Sequence, residues 1–187
     1  MSSPAAHGTG QPSAWVERWA HHLPPGASVL DVACGAGRHV RWCAARGLRV
    51  TGVDRDAAAL QPLRELAEVA EVIEADIEAG PWPLAGRQFD LVVVTNYLWR
   101  PLLATLVASV APGGWLLYET FAQGNELYGR PSRPDFLLAP GELLDSVRGA
   151  LHVVGYEHGY LAAPERMVQR IAAVRCAPQD ALDRYRL

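Results

Sequence analysis

The stretch Val29-Leu-Asp-Val-Ala-Cys-Gly-Ala-Gly-Arg-His39 decides how the rest of this chain is read. Its first part, within residues 28–32, is a short apolar run of the kind a strand covered on both faces shows. It runs into a Gly-x-Gly turn, Cys34-Gly-Ala-Gly37. A helical pattern follows over residues 36–46, with Val40, Cys43 and Ala44 on one face and Gly47 as its stop. Glycine lets the backbone turn here and leaves room for a ligand to lie against it. The N–H groups freed at a helix start can receive an anion. Strand, glycine turn and helix in this order open a nucleotide-binding α/β unit, although Gly-x-Gly alone is a weak signal.

The flanking sequence sets this unit in a larger pattern. Residues 13–22 read as a short helix with Trp15 and Trp19 on one face, ended by Pro24-Pro25-Gly26. Residues 1–12 read as a flexible tail without the layout of a signal peptide. Downstream, residues 49–53 predict a second strand and 56–68 a helix with Leu60, Leu63 and Ala67 inward. Residues 70–75 and 89–95 predict two more strands, separated by a loop that carries Pro81 and Pro83. A helix begins near Pro101, repeats at Leu102, Leu103, Leu106, Val107 and Val110, and is broken by Pro112-Gly-Gly114. Residues 115–120 are a fifth strand. This order predicts an open, parallel, doubly wound sheet.

The C-terminal third departs from that alternation. Residues 121–139 are long and polar, and 140–150 read as a helix. Two strands, 151–161 and 166–177, are joined by Ala162-Ala-Pro-Glu165, a link short enough to require an antiparallel hairpin. The expected architecture is therefore three-layer αβα and Rossmann-like, with a mostly parallel sheet ending in an antiparallel hairpin, in one domain over residues 13–187.

The chain has 187 residues, half of them apolar, and a formal net charge of −3. That balance speaks against a duplex-binding protein, which carries a basic face. No apolar run has the length of a membrane span. The three cysteines, Cys34, Cys43 and Cys176, match no zinc spacing, so no metal is expected, and their odd, sparse set fits a reducing cytoplasm.

Ligands of open α/β sheets bind beyond the carboxyl ends of the strands. Asp31 lies near the end of the first strand, where a carboxylate suits a ligand ammonium and suits a pyrophosphate poorly. Asp54 ends the second strand and can accept hydrogen bonds from two ribose hydroxyls. Asp76 follows the third and can take an adenine amino group, while the N–H of Ile77 meets a ring nitrogen. A dinucleotide fold also uses Gly-x-Gly and a later acidic residue. Here its third glycine would fall on Val40, Asp31 would face phosphate, and the terminal hairpin would be out of place.

Val29–His39 closely resembles the first motif of class I S-adenosylmethionine methyltransferases, and Gly52-Val-Asp54, Ala75-Asp-Ile77 and the segment from Phe89 to Tyr97 fall where the later motifs belong. The wording around the glycine turn, with Tyr118–Glu126 and Pro134–Leu138, is similar to small bacterial methyltransferases grouped with the tellurite-resistance methyltransferase. The resemblance implies S-adenosylmethionine as cofactor, S-adenosylhomocysteine as product, and a cofactor set of Asp31, Ala33, Gly35, Gly37, Asp54, Asp76, Ile77 and Asn96. It implies methyl transfer to a small-molecule acceptor. A regulatory protein that binds the cofactor without turnover, and an RNA or protein methyltransferase, stay open beside it.

No residue is singled out as catalytic, because transfer from an activated donor needs a base only when the acceptor must lose a proton. Thr95-Asn-Tyr-Leu98 lacks the paired prolines of adenine and glutamine amino-methyltransferases, and no cysteine stands there for covalent attack on cytosine. Residues 121–139 are longer than a loop without function tends to be. Acceptor-site candidates are Tyr97, Glu119, Tyr128, Arg130 and Arg133; the arginines also have Asp135 and Glu126 nearby in sequence. His39, His21, His22 and His158 read as packing or surface residues. Trp82 is singled out for contact with adenine.

Overall fold

The computed structural model describes residues 10–66 and 70–176. Most of the proposed tail, Ala67 and Glu68 of the helix expected over 56–68, and Ala177 of the last strand lie outside the described residues. Seven strands form one sheet, β1 (Ser28–Val32), β2 (Arg49–Asp54), β3 (Ala70–Glu74), β4 (Phe89–Thr95), β5 (Val110–Phe121), β6 (His152–Ala162) and β7 (Glu165–Val174). Their spatial order is β3-β2-β1-β4-β5-β7-β6. The first five pair in parallel. β7 inserts antiparallel between β5 and β6, so the predicted hairpin closes the sheet on that side.

The order reverses between β1 and β4. β1 leads by way of the glycine turn to β2 on one side, and β4 lies on the other. Such a switch point opens a crevice at the carboxyl ends of the strands, and that crevice positions the candidate site.

Helices cover both faces. On one, α1 (Ala14–Ala20), α2 (Arg38–Ala44) and α3 (Ala57–Leu60) bury Trp15, Trp19, Val40, Cys43 and Leu60. On the other, α4 (Leu103–Ala108) and α5 (Glu142–Val147) bury Leu106, Leu143 and Val147. The tryptophan pair predicted on α1 is a packing device. Trp15 meets Trp19 edge-on at 5.6 Å, and Trp15 Nε1 donates to the carbonyl of Ile171 on β7. The Trp19 ring approaches the backbone of β6 so closely that a Cβ at Gly155 would stand 2.5 Å from it.

Several predicted helices are shorter in the structure. The helix expected over 56–68 ends as α3 at Leu60 and continues as a 3-10 segment, Gln61–Leu66, because Pro62 lacks an N–H and cannot extend an α-helical ladder. Val110, assigned to the fourth helix, begins β5 opposite Phe89. Pro112-Gly-Gly114 is then an irregular entry to the strand, with a register shift between Phe89 and Leu91 on the facing strand, rather than a break after the helix. The expected helix over 140–150 covers only Glu142–Val147, entered through Gly141 at φ +79°.

Among the described residues no helix is long and apolar enough to cross a membrane. Cys34 and Cys43 are buried and Cys176 is exposed. Burial, and secondarily the charge of Asp31, pushes the Cys34 thiol up and the Cys43 thiol to about 12. Alkylation at pH 8 is therefore expected to modify Cys176 first, with Cys34 and Cys43 slower by about 100-fold or more until denaturant is added. Quantifying alkylated peptides against time checks this; rapid modification of Cys43 in the folded chain would contradict it.

Candidate cofactor and acceptor site

The glycine turn is built by its conformation and by a neighbouring strand. Gly35 and Gly37 adopt φ +53° and +78°, a region costly for other L-residues. A Cβ on Gly37 would also come within 2.4 Å of the Leu63 side chain. The N–H of Gly35 donates to Asp54 Oδ2 at 2.7 Å, so the end of β2 holds the turn. Gly37 N–H donates to the carbonyl of Cys34. The N–H groups of Gly35 and Gly37 are thus both committed inside the protein. The turn shapes the crevice more than it supplies donors to it.

A cavity of about 200 Å³ lies beside this turn, lined by Ala33, Asp54, Ala75, Asp76, Ile77 and Tyr97 together with Arg55 and Glu78. Four of the residues predicted for the cofactor meet there from the ends of β1, β2 and β3. Asp54 Oδ1 also accepts from the N–H of Asp56, which leaves lone pairs on both carboxylate oxygens for ribose hydroxyls. Asp76 Oδ1 accepts from the N–H groups of Ala79 and Glu78, and these bonds hold its carboxyl below the usual range. Asp76 is therefore an ionised acceptor at neutral pH, fit for an adenine amino group. Trp82 does not line this cavity. It is half-buried against the core beneath.

Ala33 and Asn96 have positive φ, 53° and 56°, where non-glycine residues are uncommon. They follow β1 and β4, the two strands flanking the switch point. Strained backbone held by surrounding structure concentrates at ligand sites.

Asp31 is 1% exposed, and its Oδ2 has no hydrogen-bond partner among the described residues. A buried carboxylate oxygen left unpaired costs free energy, so an ammonium group brought to it would be strongly favoured. Its Oδ1 lies 3.8 Å from His39 Nδ1. His39 is buried, and its Nε2 accepts from the N–H of Ser13, so the ring proton sits on Nδ1, toward Asp31. His39 is thus a link between α1 and β1. His158 and His21 are exposed.

These features fit S-adenosylmethionine: an unpaired carboxylate for its ammonium, an acidic strand end for its ribose, and an acceptor with an adjacent N–H for its adenine. The bound cofactor would supply a methyl group already activated on a sulfonium. The residues of the chain would orient it and exclude water around the transfer.

A wider cleft of about 700 Å³ adjoins the cavity and shares Arg55, Glu78 and Tyr97 with it. Asn96, Arg130 and Arg133 line it, with Phe121 and Phe136. Burial, then the Glu78 carboxylate, pushes the Tyr97 phenol well above its ordinary value. Tyr97 therefore stays protonated and is a donor at the junction, not a base.

Two acceptor candidates do not line the cleft. Tyr128 packs against Tyr160 of β6 with ring centroids 5.0 Å apart. Glu119 is 1% exposed and held by Arg166 Nη2 at 3.2 Å, Arg170 Nη1 at 3.3 Å and the Ser13 hydroxyl at 3.2 Å. Arg166 also reaches Asn96 Oδ1. The sequence reading passed over Arg166 and Arg170. Their signal was two arginines four apart, hence on one face of the strand.

The segment after β5 is fastened at several points. A bridge joins Ala122 to Leu138. The Asn125 amide donates to the carbonyl of Pro131, and its oxygen accepts from the N–H of Met167. Arg100, another residue the sequence reading passed over, donates to the carbonyls of Asp135 and Leu137 and pairs with Glu142 through two nitrogens. Arg100→Ala should loosen the loop carrying Arg130 and Arg133. The expected result is a rise of about tenfold in acceptor KM with cofactor affinity unchanged, since a bidentate charged contact contributes on the order of 1.5–3 kcal/mol. Steady-state kinetics beside a cofactor titration checks it, and equal loss of both affinities would contradict it.

A family model described as a methyltransferase domain matches residues 29–114. Trans-aconitate 2-methyltransferase of Paracidovorax citrulli is 40% identical over 105 residues, covering 52% of this chain and 40% of that protein. Malonyl-[acyl-carrier protein] O-methyltransferase of Salmonella typhimurium is 36% identical over 104 residues, 53% of this chain and 41% of that protein. The chain thus matches about two fifths of the length of these relatives. Among solved structures, TehB from Haemophilus influenzae superposes with a TM-score of 0.70 at 20% identity, covering 89% of this chain and 63% of that one. An S-adenosylmethionine-dependent methyltransferase from Mesorhizobium loti gives 0.66 at 19% identity, covering 87% and 99%. Residues 29–114 thus match a methyltransferase-domain model, and the chain has the class I S-adenosylmethionine methyltransferase fold.

Proposed function

We propose that this chain transfers a methyl group from S-adenosylmethionine to a small-molecule acceptor. One observation carries the reading beyond cofactor binding. The cavity that fits the adenosyl end opens, past Tyr97, into the wider cleft, so an acceptor has a place beside the cofactor. A regulatory protein that only sensed the cofactor would need no such cleft. In this reading Asp54 orients the ribose, Asp76 and Ile77 the adenine, and Asp31 the ammonium, with Gly35 and Gly37 shaping the turn and Ala33 and Asn96 flanking the transfer site. The relative named for trans-aconitate supports a small-molecule acceptor. The net charge of −3 supports the same choice. We place the protein in the cytoplasm, where the buried thiols Cys34 and Cys43 stay reduced, and read residues 13–187 as one domain.

The test is release of S-adenosylhomocysteine, followed across small carboxylates, phenols, amines and thiols, with RNA and a protein extract as further arms. Release above background with a small-molecule class, abolished in Gly35→Val, is expected. Cofactor binding without release in any arm would establish the regulatory reading instead.

A further inference from the structure

The wall of the wider cleft is not electrically neutral. Arg55, Arg130 and Arg133 line it against a single carboxylate, Glu78. Arg133 is committed within its own turn: Nη2 donates to Asp135 Oδ2 at 2.8 Å, and the guanidinium lies 5.4 Å from the centre of the Phe136 ring. Arg55 stands 3.9 Å from Glu78. Arg130 has no carboxylate, carbonyl or ring partner among the described residues, so the cleft keeps one uncompensated positive charge. Around it, Leu98, Phe121 and Phe136 are the apolar part of the wall, beside Tyr97.

We propose that the acceptor is a monocarboxylate with an apolar body, its carboxylate held by Arg130 and its body lying against Phe121 and Phe136. The inference rests on the methyl-transfer reading and names the substrate class for that site. Guanidinium offers a planar fork of donors that matches the two oxygens of a carboxylate. An apolar cleft with one placed charge is the usual composition of a small-molecule site. The backbone that presents Arg130 is fixed, since Pro131 is tied to Asn125 and the turn beyond it to Arg100. The arginine therefore meets a ligand without the loop having to order first, which lowers the entropy lost on binding.

The probes are trans-cinnamate, its neutral amide cinnamamide, and phenyl phosphate, each titrated calorimetrically into the protein saturated with S-adenosylhomocysteine. Cinnamate is expected to bind about tenfold or more tighter than cinnamamide, the discrimination a charge-assisted pair supplies. In Arg130→Gln the difference should fall to within about twofold while S-adenosylhomocysteine binds as before. Equal binding of acid and amide, no binding of either at millimolar concentration, or a preference that survives in Arg130→Gln would overturn the proposal. Tighter binding of phenyl phosphate than of cinnamate would overturn it in favour of a phosphate ligand. Failure of S-adenosylhomocysteine itself to bind would instead overturn the methyl-transfer reading.

Discussion

Glu119→Ala is expected to lower folding stability by about 3–5 kcal/mol, read as a fall in the urea midpoint. The wild-type carboxylate is 1% exposed at the end of β5, with both oxygens engaged by arginines of β7. The side chains of those arginines are 18% and 17% exposed. Removing the carboxylate leaves two poorly hydrated guanidinium groups facing a void. Arg170 keeps Glu157, and Arg166 keeps only the weaker contact to Asn96. The Ser13 hydroxyl also loses its acceptor, so the start of α1 loosens over His39. Glu119→Gln should cost less, since an amide oxygen can still accept from one arginine. A loss under about 1 kcal/mol for the alanine variant would mean that the network is solvated like a surface pair.

Asp54→Ala should weaken cofactor binding by about 100-fold or more, roughly 2.7 kcal/mol. Two losses combine. The carboxylate leaves the cavity in which it faces Ala33, Asp76 and Ile77. The N–H of Gly35 also loses the acceptor that fixes the glycine turn at 2.7 Å. Asp54→Asn keeps an oxygen for one of these tasks and should fall between the two. Stability should change little by comparison, about 1–2 kcal/mol, because the bonds lost are two ordinary ones near solvent. Cofactor affinity within about threefold of wild type in Asp54→Ala would place the ligand elsewhere.

The parallel half of the fold was legible because its signals are local. Apolar runs, a glycine turn and strand-end aspartates recur at spacings set by strand and helix length. The hairpin was equally legible, since the link at residues 162–165 leaves no room for a crossover. Boundaries were less so, because Pro62 and Gly141 cut helices that apolar periodicity alone would have continued. The cavity beside the glycine turn draws on short segments after each strand, so its lining could be read one strand at a time. The Glu119 network could not. Its partners are 47 and 51 residues away, and only the antiparallel insertion of β7 beside β5 brings them together. Tyr128 and Glu119 both stand in the stretch of chain whose neighbours line the wider cleft. The alternation of side chains along β5 and the packing of Tyr128 on β6 turn them elsewhere.

Calorimetric titration of S-adenosylhomocysteine into the wild-type chain tests the central claim most directly. The expected result is one-site binding with a dissociation constant on the order of micromolar, about −8 kcal/mol. A folded chain that gives no heat with either S-adenosylhomocysteine or S-adenosylmethionine would contradict it.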